Sequence, residues 1–237
     1  MCRQTVEKAP HTRRLFCGRE PSACDHAPVI DLHAHSTRSD GRLTPGALVA
    51  RAAEAGVTTF ALTDHDTTDG LADACMAADA HGMCFVNGVE ISVTWRRRTL
   101  HIVGLAFDVD DAGLGAGLAR LQHTRRERAE RIAHKLEKCG VADALPRAQA
   151  LAGDGQITRP HFARLLIEDG VCRDNAQAFK RHLRPGRDAH VAVEWAPLED
   201  AVAWIQGAGG IAVGMLLAFT RTRPQGEIGD ILRGRIR

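Results

Sequence analysis

Val29-Ile30-Asp31-Leu32-His33-Ala34-His35-Ser36-Thr37-Arg38-Ser39-Asp40-Gly41 is the stretch from which the fold of this 237-residue chain is read. A short apolar run carries His33 and His35 at its end, and Asp40 follows in a turn closed by Gly41. Side chains alternate along a strand, so positions i and i+2 share a face and the two imidazoles point the same way. Two imidazoles at the C-terminal end of a strand, with a carboxylate shortly after, are the start of a metal site.

The pattern returns downstream. Residues 58–63 (T-T-F-A-L-T) form a buried strand that delivers Asp64, His65 and Asp66 at its end. Residues 84–86 form a third strand leading to Asn87-Gly88-Val89-Glu90, and residues 99–105 a fourth with His101 inside it. Helices fall between them. Thr44 caps one that has Pro45 at its first position and stops at Gly56, and a second runs over 71–81 to Gly82. Strands alternating with helices of about a dozen residues mean β/α units with parallel pairing. In a (β/α) barrel the strand ends carrying polar residues are the face where chemistry sits.

From about residue 108 to 190 helical signals take over. Leu118, Leu121, Ala129, Ile132, Ala133 and Leu136 mark a long amphipathic helix that ends at Gly140. Its arginines (Arg125, Arg126, Arg128, Arg131) are interleaved with Glu127 and Glu130, which reads as a solvated face in preference to a phosphate-binding patch. A helix follows Ile157-Thr158-Arg159-Pro160-His161 and stops at Gly170, and another covers 175–183. Residues 191–194 resume a strand, 197–206 are helical, and 211–213 return to the barrel. The organisation is therefore a disordered extension over 1–28, the first part of a barrel over 29–107, and a helical insertion capping the substrate over 108–190. A return to the barrel over 191–213 and an atypical, basic tail over 214–237 complete it.

Lys+Arg 31 against Asp+Glu 29 leaves the chain almost neutral, which excludes a global polyelectrolyte partner. Seven cysteines form no C-x-x-C pair and no regular framework, and no leader-like apolar region begins the chain. Reduced thiols in a cytoplasmic protein are expected. No apolar run reaches the length of a membrane span.

His33, His35, Asp40, His65, Glu90 and His101 each lie at or near the end of a predicted strand. Mixed imidazole and carboxylate ligands suit Zn²⁺, Mn²⁺ or Fe²⁺, and a carboxylate such as Glu90 can bridge two ions. Burying this much polar surface without ions costs several kcal/mol. Such ions lower the pKa of a bound water, so that hydroxide forms near neutral pH and attacks phosphorus in line. Asp64 and Asp66 are candidates to orient His65 from behind, with capping of the following turn as the alternative.

D-L-H-A-H-S-T-R-S-D-G, L-T-D-H-D, N-G-V-E-I-S and H-I-V-G-L, in this order, resemble the polymerase and histidinol phosphatase (PHP) superfamily. They are most similar to its small bacterial metal-dependent phosphoesterases, which dephosphorylate AMP and 3′,5′-nucleoside bisphosphates; some act as 5′→3′ exonucleases on short RNA. The resemblance covers residues 29–213. It implies a distorted (β/α)₇ barrel with an inserted helical subdomain and up to three divalent ions, often Mn²⁺. By that resemblance His33, His35 and Glu90 hold one ion, Glu90 bridges to a second shared with His101, and Asp40 and His65 serve the third. Arg159 and His161 would contact the substrate phosphate, with helix capping equally open to either residue. The implied partners are a small nucleotide phosphate or short RNA ends, with no membrane and no obligate protein partner.

The resemblance weakens after the Gly209-Gly210-Ile211-Ala212-Val213 strand. The family continues there with Ala-His-Pro and later supplies Ser-Asp-x-His. Here Met215-Leu216-Leu217 occupies the first position, and the second motif does not occur before Arg237. The last strands of the barrel and three ligands are expected to be missing, as in a truncated or frameshifted reading frame. Two readings follow: a nucleotide phosphoesterase, and a catalytically impaired fragment that binds metal weakly.

Overall fold

The computed structural model describes Phe16–Cys17 and residues 28–215. The rest of the expected 1–28 extension and of the 214–237 tail, with Leu216 and Leu217, lies outside the described residues. The elements are β1 (Phe16–Cys17), β2 (Ile30–Asp31), α1 (Pro45–Glu54), β3 (Thr59–Leu62), α2 (Leu71–Ala80), β4 (Cys84–Trp95) and β5 (Arg98–Leu105). Then come α3 (Ala112–Lys138), α4 (Ala144–Ala152), α5 (Arg159–Glu168), α6 (Asn175–Ala178) and a π-helical turn over Phe179–Leu183. β6 (Ala196–Pro197), α7 (Leu198–Gly207) and β7 (Ile211–Met215) close the described part.

The result is a mixed α/β sheet of order β2-β3-β4-β5-β7, curled as part of a barrel, with β1 and β6 also paired to β4. The β2-β3-β4 portion is parallel, as the alternation of strands and helices requires. The β4-β5 and β5-β7 ladders are antiparallel, a pairing that the expectation of parallel β/α units did not include. The cause is local. Arg96 and Arg97 both take positive φ (46° and 63°), forming the tight two-residue turn that folds β5 straight back on β4.

β4 is also far longer than the three residues its sequence suggests. Asn87-Gly88 reads as a turn, yet Gly88 lies inside the strand, where a Cβ would come within 2.5 Å of the Leu62 carbonyl oxygen. Glycine there permits close approach of β3 to β4. Residues 191–194, expected as a strand, form no ladder; the pairing falls on β6 instead, against Val93 and Thr94.

Two hydrophobic cores organise the chain. The first packs Phe60, Phe85, Ile91, Ile102 and Phe107 against α1, α2 and α7. The second is helical, built from Phe162, Leu165, Leu166, Leu183 and their neighbours. α3 belongs to both: Leu114, Leu118 and Leu121 enter the first core, and Ala129, Ile132 and Leu136 the second. No helix among the described residues is long and apolar enough to cross a membrane. Cys84, Cys139 and Cys172 are free thiols, whereas Cys75 is disulfide-bonded, against the expectation that all are reduced.

Candidate metal centre

The structure brings His33, His35, Asp40, His65, Glu90 and His101 together at one end of the sheet. β2 delivers the first two, β3 leads to His65, β4 carries Glu90 and β5 carries His101. An isolated parallel bridge joins His65 to Glu90, so the ladder between the third and fourth strands continues into the site. Glu90 is the hub. Its Oε2 lies 2.9 Å from His35 Nε2, 3.4 Å from His33 Nε2 and 3.6 Å from His65 Nδ1. Its Oε1 lies 2.7 Å from His101 Nδ1. Asp40 faces His35 at 3.6 Å and His65 at 3.7 Å. The imidazoles form a continuous row, with neighbouring ring centroids 4.6–5.0 Å apart.

These donors fit a metal better than they fit one another. Glu90 Oε2, His65 Nδ1 and His101 Nδ1 are sealed from solvent, yet none completes a hydrogen bond. The 2.7 Å approach of His101 to Glu90 is therefore a charge contact off the hydrogen-bonding direction. Buried polar atoms left in this way cost about 1–3 kcal/mol each, and a cation at their common focus would satisfy all of them. Three overlapping groups each offer three ligand atoms within 4.8 Å of one another: His33-His35-Glu90, His35-Asp40-His65 and His65-Glu90-His101. Protonation states agree with ligation. Burial works against the charge of Glu90, but His101, His35 and His65 hold its carboxyl well below the usual range. Burial, with Arg125, pushes His65 well below the ordinary histidine value and leaves it neutral.

Asp64 and Asp66 are buried, but among the described residues the hydrogen bonds of their carboxylates go elsewhere than the His65 ring, which departs from the orienting role considered for them. Asp64 accepts from the Ser36 N–H at 2.7 Å, Ser36 Oγ at 2.5 Å and Ser39 Oγ at 2.6 Å. It therefore fixes the loop between His35 and Asp40. Asp66, at φ 53°, accepts from the Ser92 N–H at 2.6 Å and from Arg125 Nε at 2.6 Å, and Arg125 Nη2 donates to Ser92 Oγ at 2.8 Å. Two further residues hold the loop from the insertion side. Gln156 Nε2 donates to the His65 carbonyl at 3.0 Å, and its N–H donates to the Arg38 carbonyl at 3.1 Å. A Cβ on Gly155 would overlap the Thr37 carbonyl oxygen, so only glycine lets the two segments meet.

A cavity of about 630 Å³ opens beside these candidate ligands, between Asp40, His65 and His101 on one side and the helical subdomain on the other. Arg159 lines it. His161 does not line it: its Nδ1 accepts from the Thr158 N–H at 3.0 Å and caps α5. Of the two roles open to His161, the structure displays the cap. Arg125 and Arg128 also line the cavity, a correction to the solvated-face reading, whereas Arg126, Glu127, Glu130 and Arg131 are exposed.

A family model for the PHP domain matches residues 31–148. The chain is 47% identical over 185 residues to the 3′,5′-nucleoside bisphosphate phosphatase of Chromobacterium violaceum, across 78% of this chain and 65% of that protein. It is 40% identical over 198 residues to the 5′-3′ exoribonuclease Rnm of Salmonella typhimurium, across 83% of this chain and 68% of the relative. The chain belongs to the PHP-domain family. A solved structure from Bifidobacterium adolescentis, assigned as a metal-dependent phosphoesterase, superposes with TM-score 0.81 at 25% identity over 91% of this chain and 76% of its own. That likeness accords with a partial PHP barrel. The chain spans about two thirds of the length of these curated relatives.

Proposed function

We propose that this chain is a metal-dependent phosphoesterase that releases phosphate from nucleotides such as AMP or 3′,5′-nucleoside bisphosphates. The observation that carries the reading is the convergence of three imidazole nitrogens on Glu90 Oε2, an oxygen without a hydrogen-bond donor. His33, His35 and Glu90 would hold one ion, Glu90 and His101 a second, and Asp40 with His65 a third; Mn²⁺ suits this mixture of nitrogen and oxygen ligands. When bound, such ions supply an activated water and neutralise phosphoryl oxygens. The chain's own residues do the rest. Arg159, at the first turn of α5, binds the phosphoryl group against the ligand wall, and His161 holds that turn in place through its cap. Asp64 fixes the Asp40 loop, and the Asp66–Arg125 pair locks β4 to α3.

The test is phosphate release from AMP and adenosine 3′,5′-bisphosphate by chain stripped with chelator and reloaded with Mn²⁺. Turnover that depends on metal and vanishes in His33→Ala is expected. A folded chain with no bound metal and no turnover would refute the proposal. A second reading, hydrolysis at the 5′ ends of short RNA, is favoured by the identity to the Salmonella exoribonuclease. Comparing mononucleotides with short oligoribonucleotides at equal metal separates the two.

A further inference from the structure

Three arginines on helices line the cavity, Arg125 and Arg128 of α3 and Arg159 of α5. Each guanidinium lies over an aromatic ring. Arg125 and Arg128 stand 5.1 and 5.5 Å from the Trp195 centroid, and Arg159 stands 5.5 Å from that of Phe179. The chain has only ten aromatic residues, seven Phe and three Trp, so a ring beside each of these arginines does not follow from abundance. What else holds them differs. Arg125 is fixed by Asp66 and Ser92. Arg159 has its backbone set by the Thr158–His161 cap, but among the described residues no carboxylate pairs with its side chain. A long side chain that is not held in advance loses rotamer freedom on gripping an anion, and the grip weakens accordingly.

Phe179 reaches Arg159 through an irregularity. It opens the π-helical turn Phe179–Leu183, which the Arg184 N–H closes on the Phe179 carbonyl at 3.0 Å. Ala178 just before the turn and Leu183 at its end are both buried in the second core. A regular α-turn would bring His182 round to the face of Ala178; the wider turn brings Leu183 there instead. Both ends of the turn are thereby anchored. Phe179, half-buried and packed against the same core, is fixed in backbone and side chain alike. Isolated π turns of this kind are frequent at functional sites.

We propose that Phe179 is a positioning residue for Arg159: its ring, fixed by the π-helical turn, holds the guanidinium at the cavity wall before the ligand arrives. The ring face attracts the cation through its quadrupole and leaves every N–H in the guanidinium plane free to donate. A carboxylate in the same place would hold Arg159 as firmly, but it would consume the charge and the fork that a phosphate needs. The ring fixes the cation without competing for it. This rests on the phosphoesterase reading for the role of Arg159.

Calorimetry with the phosphonate analogue of AMP, whose C–P bond is not hydrolysed, reads binding to the Mn²⁺-loaded chain apart from turnover. The variants are Phe179→Leu, Phe179→Tyr, Arg159→Gln and the pair Phe179→Leu/Arg159→Gln. A further chain carries pentafluorophenylalanine in place of Phe179, which keeps the ring but reverses the potential of its face. Phe179→Leu and the fluorinated chain should each bind about 3- to 10-fold more weakly than wild type, the range of a partly desolvated cation–π contact. Phe179→Tyr, which keeps the ring face, should stay within about twofold of wild type. With Arg159→Gln in place, Phe179→Leu should weaken binding by less than about twofold more. In the metal- and ligand-free chain, ring current should shift the Arg159 side-chain proton resonances upfield of those of the exposed arginines, and Phe179→Leu should abolish the shift. Equal binding by wild type and the fluorinated chain overturns the proposal, as does strict additivity of Phe179→Leu and Arg159→Gln or an unshifted Arg159 in wild type. Should Phe179→Leu fail to melt cooperatively, the fluorinated chain alone decides. No binding of the analogue by wild type overturns this assignment and the phosphoesterase reading together. The expected pattern in a chain that releases no phosphate from AMP overturns that reading alone.

Discussion

Replacing Arg125 with methionine keeps most of the side-chain volume but deletes half of a buried ion pair. Asp66 is fully buried and Arg125 is 8% exposed, with 2.6 Å between Arg125 Nε and the carboxylate. In Arg125→Met the Asp66 carboxylate keeps the Ser92 N–H but loses the one cation paired with it among the described residues. Removing one partner of a buried pair costs about 3–5 kcal/mol. For a chain of this size each kcal/mol lowers the melting temperature by about 2–4 °C, so a fall of about 6–20 °C is expected. Thermal denaturation followed by circular dichroism measures it. The double variant Asp66→Asn/Arg125→Met provides the control: asparagine tolerates the positive φ at this position and leaves no charge to strand. It should recover at least about 2 kcal/mol relative to the sum of the single variants. A fall below about 3 °C in Arg125→Met, or strict additivity of the two changes, would refute the claim that this pair locks α3 to β4.

Gly41→Ala should destabilise the chain by more than about 2 kcal/mol, because the new methyl would overlap the His35 carbonyl with no flexible side chain to yield. Urea denaturation with a parallel Mn²⁺ titration checks it; wild-type stability with wild-type metal affinity would contradict the loop geometry. The pH dependence of metal binding follows from His35. Burial opposes its charge, but the carboxylates of Glu90, 2.9 Å from its Nε2, and of Asp40 outweigh burial and raise its pKa above 6.5. The proton thus stabilises the metal-free chain below pH 6.5, and that contribution is lost as pH rises through the folded value. A divalent ion competes for the same nitrogen, so affinity should rise with pH, by about tenfold per unit while one proton is displaced. Calorimetry in buffers of different ionisation enthalpy should detect proton release near pH 6.5; a pH-independent affinity without proton release would contradict it.

Much of the candidate ligand set is legible because its residues follow strands whose apolar runs are unambiguous. His33 and His35 share a strand face by spacing alone, and His65 follows the buried run that ends at Thr63. The limits of β4 were not legible, since Asn87-Gly88 has turn chemistry and only the close approach of Leu62 explains glycine inside a strand. Antiparallel β5 was hidden for a similar reason: Arg96-Arg97 is an unfavourable pair for the positive-φ turn it forms. The arginines of α3 did leave a signal. Arg125 falls four residues after Leu121 and four before Ala129, on the apolar stripe itself, and Arg128 falls one turn before Ile132. Interleaved glutamates masked that stripe. Ser36, Ser39 and Gln156, which hold the Asp40 loop, carry no motif, because their role depends on which segments meet in space.

The seam at Gly155 and Gln156 has a bearing on ligand length. The segment that leads into α5, and so to Arg159, rests on the main chain of the loop that bears Asp40, through the Thr37 and Arg38 carbonyls. Side-chain contacts can slacken by a change of rotamer; contacts of backbone on backbone cannot. The arginine-lined roof and the floor of candidate ligands are therefore set at one opening, like the jaws of a locked caliper. Exchanging side chains within the cavity can alter how tightly a molecule is gripped. The span it must bridge changes only if residues are inserted into or removed from the 153–157 link.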